Sequence, residues 1–198
     1  MTPIGKWLLM LAPGALAGSA FAQSSDIYAI DFNNYTYPWS GKVGALESDQ
    51  YSWHWVSDVP SEVLALKSGS HAFEAGGYPD GYLKLISVTY GDLTGGGTAD
   101  AAVDLHRQSG GTLGWDCLYV FHESAAGPTL LGVLRSGDRG HGGLVAVKIA
   151  GGQLIVDFAD PALAFADCCS KGYVRIHYLY QLGKFVEVGA RGRGSLPP

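Results

Sequence analysis

The chain has 198 residues, 47% of them apolar, which is enough for a packed core and argues against disorder. Charged residues make up 16%, below the roughly 25% of an average domain, and the formal charge is −5. An acidic, charge-poor chain lacks the basic footprint that nucleic acid needs, which argues against that partner class.

Residues 1–22 read as a cleavable secretory signal. Lys6 is the positive start, Trp7-Leu8-Leu9-Met10-Leu11-Ala12 opens the apolar stretch, and Ala20-Phe21-Ala22 fits the small-x-small cleavage pattern. Pro13-Gly14 interrupts the stretch, which falls short of the ~20 residues of a spanning helix. This predicts Sec export of a periplasmic or secreted protein with no membrane span. Residues 23–189 then form one β-rich domain, and residues 190–198 a flexible tail.

Aromatics crowd the next segment: Tyr28, Phe32, Tyr35, Tyr37, Trp39, Tyr51, Trp53 and Trp55. Tyr51, Trp53 and Trp55 alternate, so they share one face of a strand. Such a face either stacks on sugar rings or a partner's apolar side chains, or packs into the core.

Short segments rich in Val, Ile, Leu, Tyr and Phe alternate with glycine clusters, the pattern of an antiparallel all-β protein. Candidate strands cover 26–32, 51–56, 63–66, 83–90, 100–107, 115–122 and 130–134. Pro60-Ser61-Glu62 also offers a helix start, so 61–67 has a short helix as its other reading. The expectation is a mainly β fold of Gly-turn hairpins, a meander sheet or a two-sheet sandwich, with at most one or two short helices.

Two hairpins follow from the pattern. Residues 144–150 and 153–159 flank Gly151-Gly152, which supplies the positive φ of a two-residue loop. Ala150 then faces Gln153, Ile149 faces Leu154, Val147 faces Val156, and Val145 faces Phe158. This puts the large apolar residues on one face, with Lys148 and Asp157 as a diagonal pair on the other. A second hairpin joins 173–180 to 184–188 through Leu182-Gly183.

The segment Tyr90-Gly91-Asp92-Leu93-Thr94-Gly95-Gly96-Gly97-Thr98-Ala99-Asp100 joins two candidate strands. Calcium loops place oxygen ligands at alternate positions, with glycine at the sixth. Asp92, Thr94 and Asp100 fall at such positions. Gly96 stands where an acid or amide is normal, and Val103 where the final Glu would be. Weak calcium binding competes here with a turn in which Asp92 accepts the loop's own N–H groups. No other cofactor is expected.

This segment resembles one in secreted bacterial proteins similar to the LppP/LprE lipoproteins, and also the FG-GAP calcium loops of β-propellers. Further matches to the first group are Asp31-Phe32-Asn33-Asn34-Tyr35-Thr36-Tyr37-Pro38, Gly137-Asp138-Arg139, Gly142-Gly143-Leu144, Cys168-Cys169 and Gly183-Lys184-Phe185. The likeness covers most of the chain after residue 22 and implies a shared fold. That group carries Asp at the Gly96 position, so the resemblance implies a weakened metal loop here.

Cys117, Cys168 and Cys169 make an odd set for an oxidising compartment. Cys117 bonded to one of the adjacent pair is favoured, and a Cys168–Cys169 bond is the alternative. Gly137-Asp138-Arg139-Gly140-His141-Gly142-Gly143 is a polar loop. Its Asp138, Arg139 and His141 either bind a ligand or pair with one another. Asp104 and His106 share a strand face, with His122 placed to lie across from them, a candidate acid–base cluster. No nucleophile elbow or zinc-protease motif is present.

The leading reading is an exported, non-enzymatic binding module of the bacterial envelope. It would present Tyr51, Trp53, Trp55, Asp138, Arg139 and His141 to a protein or a cell-wall glycan. The alternatives are a hydrolase using Asp104, His106 and His122, and a purely structural envelope protein.

Overall fold

The structure, a computed structural model, describes residues 26–39, 53–73 and 81–197. The signal-like segment and Tyr51 lie outside the described residues.

Two 3₁₀ turns open the described chain, Ile27–Ala29 and Phe32–Asn34. Strands follow at Thr36–Pro38 (β1), His54–Trp55 (β2), Val63–Ala65 (β3), Ser70–Phe73 (β4), Gly81–Gly91 (β5) and Asp100–Ser109 (β6). Next come Gly114–His122 (β7), Thr129–Arg135 (β8), Leu144–Ala150 (β9) and Gln153–Ala159 (β10). After a 3₁₀ turn at Pro161–Leu163, the chain ends in Ala164–Ala166 (β11), Cys169–Ser170 (β12), Gly172–Gln181 (β13) and Lys184–Ser195 (β14). The fold is mainly β and its strand pairs are antiparallel.

Six strands form one sheet, in the order β2-β8-β7-β6-β5-β4. Four form a second, β14-β13-β10-β9, and β1-β3 and β11-β12 are small ribbons. Both large sheets are largely meanders, and they pack face to face, so the two expected architectures coexist.

The six-stranded sheet is the middle layer. On one face Val103, Leu105, Cys117, Tyr119, Phe121 and Val133 pack under Ile27, Phe32, Tyr37, Leu64 and Leu66. On the other, Ala102, Leu118, Val120 and Leu134 meet Leu154, Val156, Phe158, Val174 and Ile176 of the second sheet. Burial on both faces explains why β7 carries the unbroken apolar run from Cys117 to Phe121 rather than strict alternation.

The hairpins at 144–159 and 173–188 form as expected. Leu182 and Gly183 take positive φ, as the tight turn requires. Ile149 faces Leu154 and Val147 faces Val156, but a bulge between Asp157 and Phe158 makes Leu144 the partner of Phe158. Val145 is therefore pushed outward and is 39% exposed, while Leu144 packs against the core in its place. Asp157 takes Arg175 on β13 at 2.7 Å, not Lys148. Arg175 stands directly across from it in register, a closer position than the diagonal.

Other expectations are corrected. The 26–32 segment is not a strand, because the Asp26 and Asp31 carboxylates accept the Tyr28 and Asn33 N–H groups and cap 3₁₀ turns. The segment 61–67 is not a helix. Leu64 pairs with Tyr37 and is buried, which selects the extended reading for β3. Residues 190–195 are not a tail, since β14 carries Arg193 opposite Val174 and Gly194 opposite Tyr173.

Candidate functional site

The loop between β5 and β6 is bound to itself. Asp92 accepts the Gly95 N–H at 2.7 Å and the Gly97 N–H at 2.9 Å, and these backbone bonds hold its carboxyl below the usual range. Buried Asp100 accepts the Leu93 and Thr94 N–H groups at 2.6 and 3.1 Å. His122 Nδ1 lies 2.7 Å from its other oxygen and 3.4 Å from Thr94 Oγ1. Asp92, Thr94 and Asp100 are thus brought into one loop. Their oxygens answer backbone and imidazole N–H groups, and no acidic or His/Cys cluster fit for a metal occurs among the described residues.

The aromatic face packs inward. Trp53 stacks on Phe158 at 4.5 Å, and Trp55 stacks on Phe185 at 4.3 Å. Both indoles pack against the core that joins the two large sheets.

The 137–143 loop also closes on itself. Asp138 is buried, accepts the Gly114 N–H at 2.9 Å and pairs with Arg139 Nε at 3.0 Å. His141 Nε2 lies 3.5 Å from Asp167, and its backbone bridges Asp138. Beside this loop Cys168 and Cys169 are bonded to each other. The favoured pairing through Cys117 is therefore corrected. Cys117 faces the inner core layer of β7, whereas the pair sits on the outer β11–β12 ribbon.

Two clefts remain. The first lies between β5 and β9 and measures about 340 Å³, with Asp104, His106 and Asp116 among its lining residues. Alternation along β6 and β7 puts all three on one sheet face. His106 Nδ1 lies 2.7 Å from Asp116 Oδ1, and Gln108 supports the same ring, so the imidazole's affinity for a proton is raised. Asp116 also accepts the Leu144 N–H at 3.3 Å, which ties the second sheet to the first. Burial and the Asp116 charge push Asp104 up to about 8, against the attraction of His106.

The cluster anticipated from sequence is thus partly right. Asp104 and His106 come together, but their third partner is Asp116. His122 shares their face, yet it is engaged by Asp100, and the buried pair Ala102 and Val120 stands between. Asp116 stands opposite His106 in the ladder, a relation that follows from the β6–β7 register, which Gly110-Gly111 alone did not reveal.

The second cleft, about 660 Å³, opens between β3 and β4 and is lined by Trp39, Glu62, Lys67, Ser70 and His71 among others. Ser68 and Gly69, both at positive φ, turn the chain so that Lys67 bridges Ser70. Beyond that bridge the strands part, β3 pairing with β1 and β4 with β5. His71 Nδ1–H donates to the Ala65 carbonyl at 3.2 Å between them. Trp39 is backed by Phe73 at 5.8 Å, and Arg107 lies 4.2 Å over the Phe73 ring. Trp39 belongs to the aromatic run picked out in the sequence, but no local signal separated it from the core aromatics.

No protein-family model matches this chain, and no curated protein or solved structure matches it either.

Proposed function

We propose that the protein is an exported, non-enzymatic binding module of the bacterial envelope whose β3–β4 cleft takes a cell-wall glycan. The export reading rests on the signal-like pattern of residues 1–22. The observation that carries the glycan reading is Trp39 beside Glu62, Lys67 and His71 in one cleft. An indole offers a flat apolar surface to a sugar ring, and neighbouring polar side chains can bond its hydroxyls. The cleft falls within the ~300–1,000 Å³ of small-ligand sites. A hydrolase gains less support. The expected Asp104, His106 and His122 cluster is not assembled, because Asp100 holds His122 apart from His106, which Asp116 holds.

Titration with soluble peptidoglycan fragments, read by tryptophan fluorescence, tests the proposal. Saturable binding weakened about tenfold or more by Trp39→Ala is expected, with Trp53→Phe near wild type. Absence of binding, or equal binding by Trp39→Ala, overturns it.

A further inference from the structure

Asp104 is anomalous in the sandwich interior. It is 8% exposed, lines the β5–β9 cleft, and its Oδ1 has no hydrogen-bond partner. Buried polar atoms in native proteins are nearly always satisfied, and an orphan calls for a ligand or another cause.

The opening has a structural origin. β5 is irregular between Leu85 and Ser87, and β9 bulges at Val145. The two strands touch closely at Gly91 and Ile149, where an added Cβ would sit 2.5 Å from Ile149 Cγ2. Toward Ile86 and Val145 they splay apart over Asp104.

The charges around the cleft are matched except for one. His106 on β6 is held by Asp116 on β7, and Arg139 on the β8–β9 loop is held by Asp138. β5 and β9 line the cleft with uncharged residues. Asp104 is the lining carboxyl with no ion pair of its own, since His106, which attracts it, is held by Asp116. Ser87 stands opposite it in the ladder, and the rest of the wall above is aliphatic, Ile86 being 54% exposed, with Val145 and Val147 across the cleft. An acid floor under aliphatic walls suits a cation on an alkyl stem better than a sugar, whose hydroxyls would meet Val and Ile.

We propose that this cleft binds a primary alkylammonium group, its nitrogen pairing with Asp104 and its methylene stem lying on Ile86, Val145 and Val147. A lysine side chain and a free alkylamine share this chemistry. The site shares no lining residue with the Trp39 cleft and stands independently of the glycan reading. Binding exchanges one proton: the neutral Asp104 carboxyl releases H⁺ to the buffer and becomes the carboxylate that faces the ligand's ammonium.

Isothermal titration of the full chain with n-pentylamine hydrochloride and with Nα-acetyl-lysine methylamide tests this, with 1-pentanol as the uncharged control. Saturable binding of an ammonium ligand and none of 1-pentanol is expected. Affinity should rise about tenfold per pH unit below pH 8 and level off above it, because the competing proton is then gone. Asp104→Asn should lose at least about tenfold in affinity while staying folded, with a thermal midpoint no lower than that of wild type, since Asn replaces an uncharged acid. Stronger binding of the lysine derivative identifies a protein side chain as the source, and stronger binding of pentylamine a free amine. No saturable binding of either, equal binding by Asp104→Asn, or equal binding of 1-pentanol overturns the proposal. A peptidoglycan titration run in parallel reports on the Trp39 cleft alone.

Discussion

Trp55 lies with its ring 4.3 Å from that of Phe185 and within 5° of parallel. One residue belongs to the six-stranded sheet and the other to the four-stranded sheet, so the stack fastens the two layers. Gly132 makes room for it, since a Cβ there would lie 3.2 Å from the Trp55 ring. An alternating aromatic strand that suggests a binding face is here an interlayer clasp.

Trp55→Ala should therefore destabilise the fold by about 3 kcal/mol, the scale of an aromatic truncation in a packed interior. Urea denaturation checks this. Peptidoglycan binding by the folded variant should be unchanged, and a loss of less than about 1 kcal/mol would place Trp55 outside the interlayer core.

Asp104 predicts a pH dependence with a definite sign. Its carboxyl is pushed up to about 8 in the folded state, whereas an unfolded Asp titrates near ~3.9. Between these values the folded state holds the proton and the unfolded state does not, so stability falls as pH rises toward 8. Thermal midpoints should show Asp104→Asn gaining on wild type from pH 4 to pH 8.

His106 pulls in a recognisable way as well. Asp116 raises its proton affinity, so its contribution is full below the unfolded value of ~6.5 and is lost as pH rises through the higher folded value. His106→Gln should remove that part of the slope while Asp104→Asn retains it. Identical pH profiles for wild type and His106→Gln would contradict the pairing.

The β5–β6 loop should give no midpoint shift with micromolar calcium, because Asp92 and Asp100 already answer four loop N–H groups. Loops with so few carboxylates bind at best in the ~10⁻⁴ to 10⁻³ M range. Gly96→Asp should fold normally, since the nearest atoms to an added Cβ are hydroxyls 3.6 and 3.8 Å away. It should respond to millimolar calcium. Differential scanning fluorimetry with and without calcium decides both points.

Reducing Cys168–Cys169 should move the midpoint little. The bond joins adjacent residues, so it removes almost no loop-closure entropy from the unfolded chain. A bond from Cys117 would have closed about 50 residues and contributed roughly 4 kcal/mol. A large drop in thermal midpoint with reductant would count against the adjacent pairing.

Strand content, antiparallel pairing and both hairpins were legible in the sequence, because period-two alternation and Gly-Gly or Leu-Gly turns act over a few residues. The self-bonding of Asp92 was legible for the same reason. Only the tertiary structure decided which faces are buried twice, and so whether Trp39 or Trp53 stays open. It also placed Asp116 beside His106 and pushed Val145 out through a bulge. Those outcomes depend on register and on contacts between distant strands. Residue spacing along the chain carries the period of a strand but not the identity of the surface that will cover it.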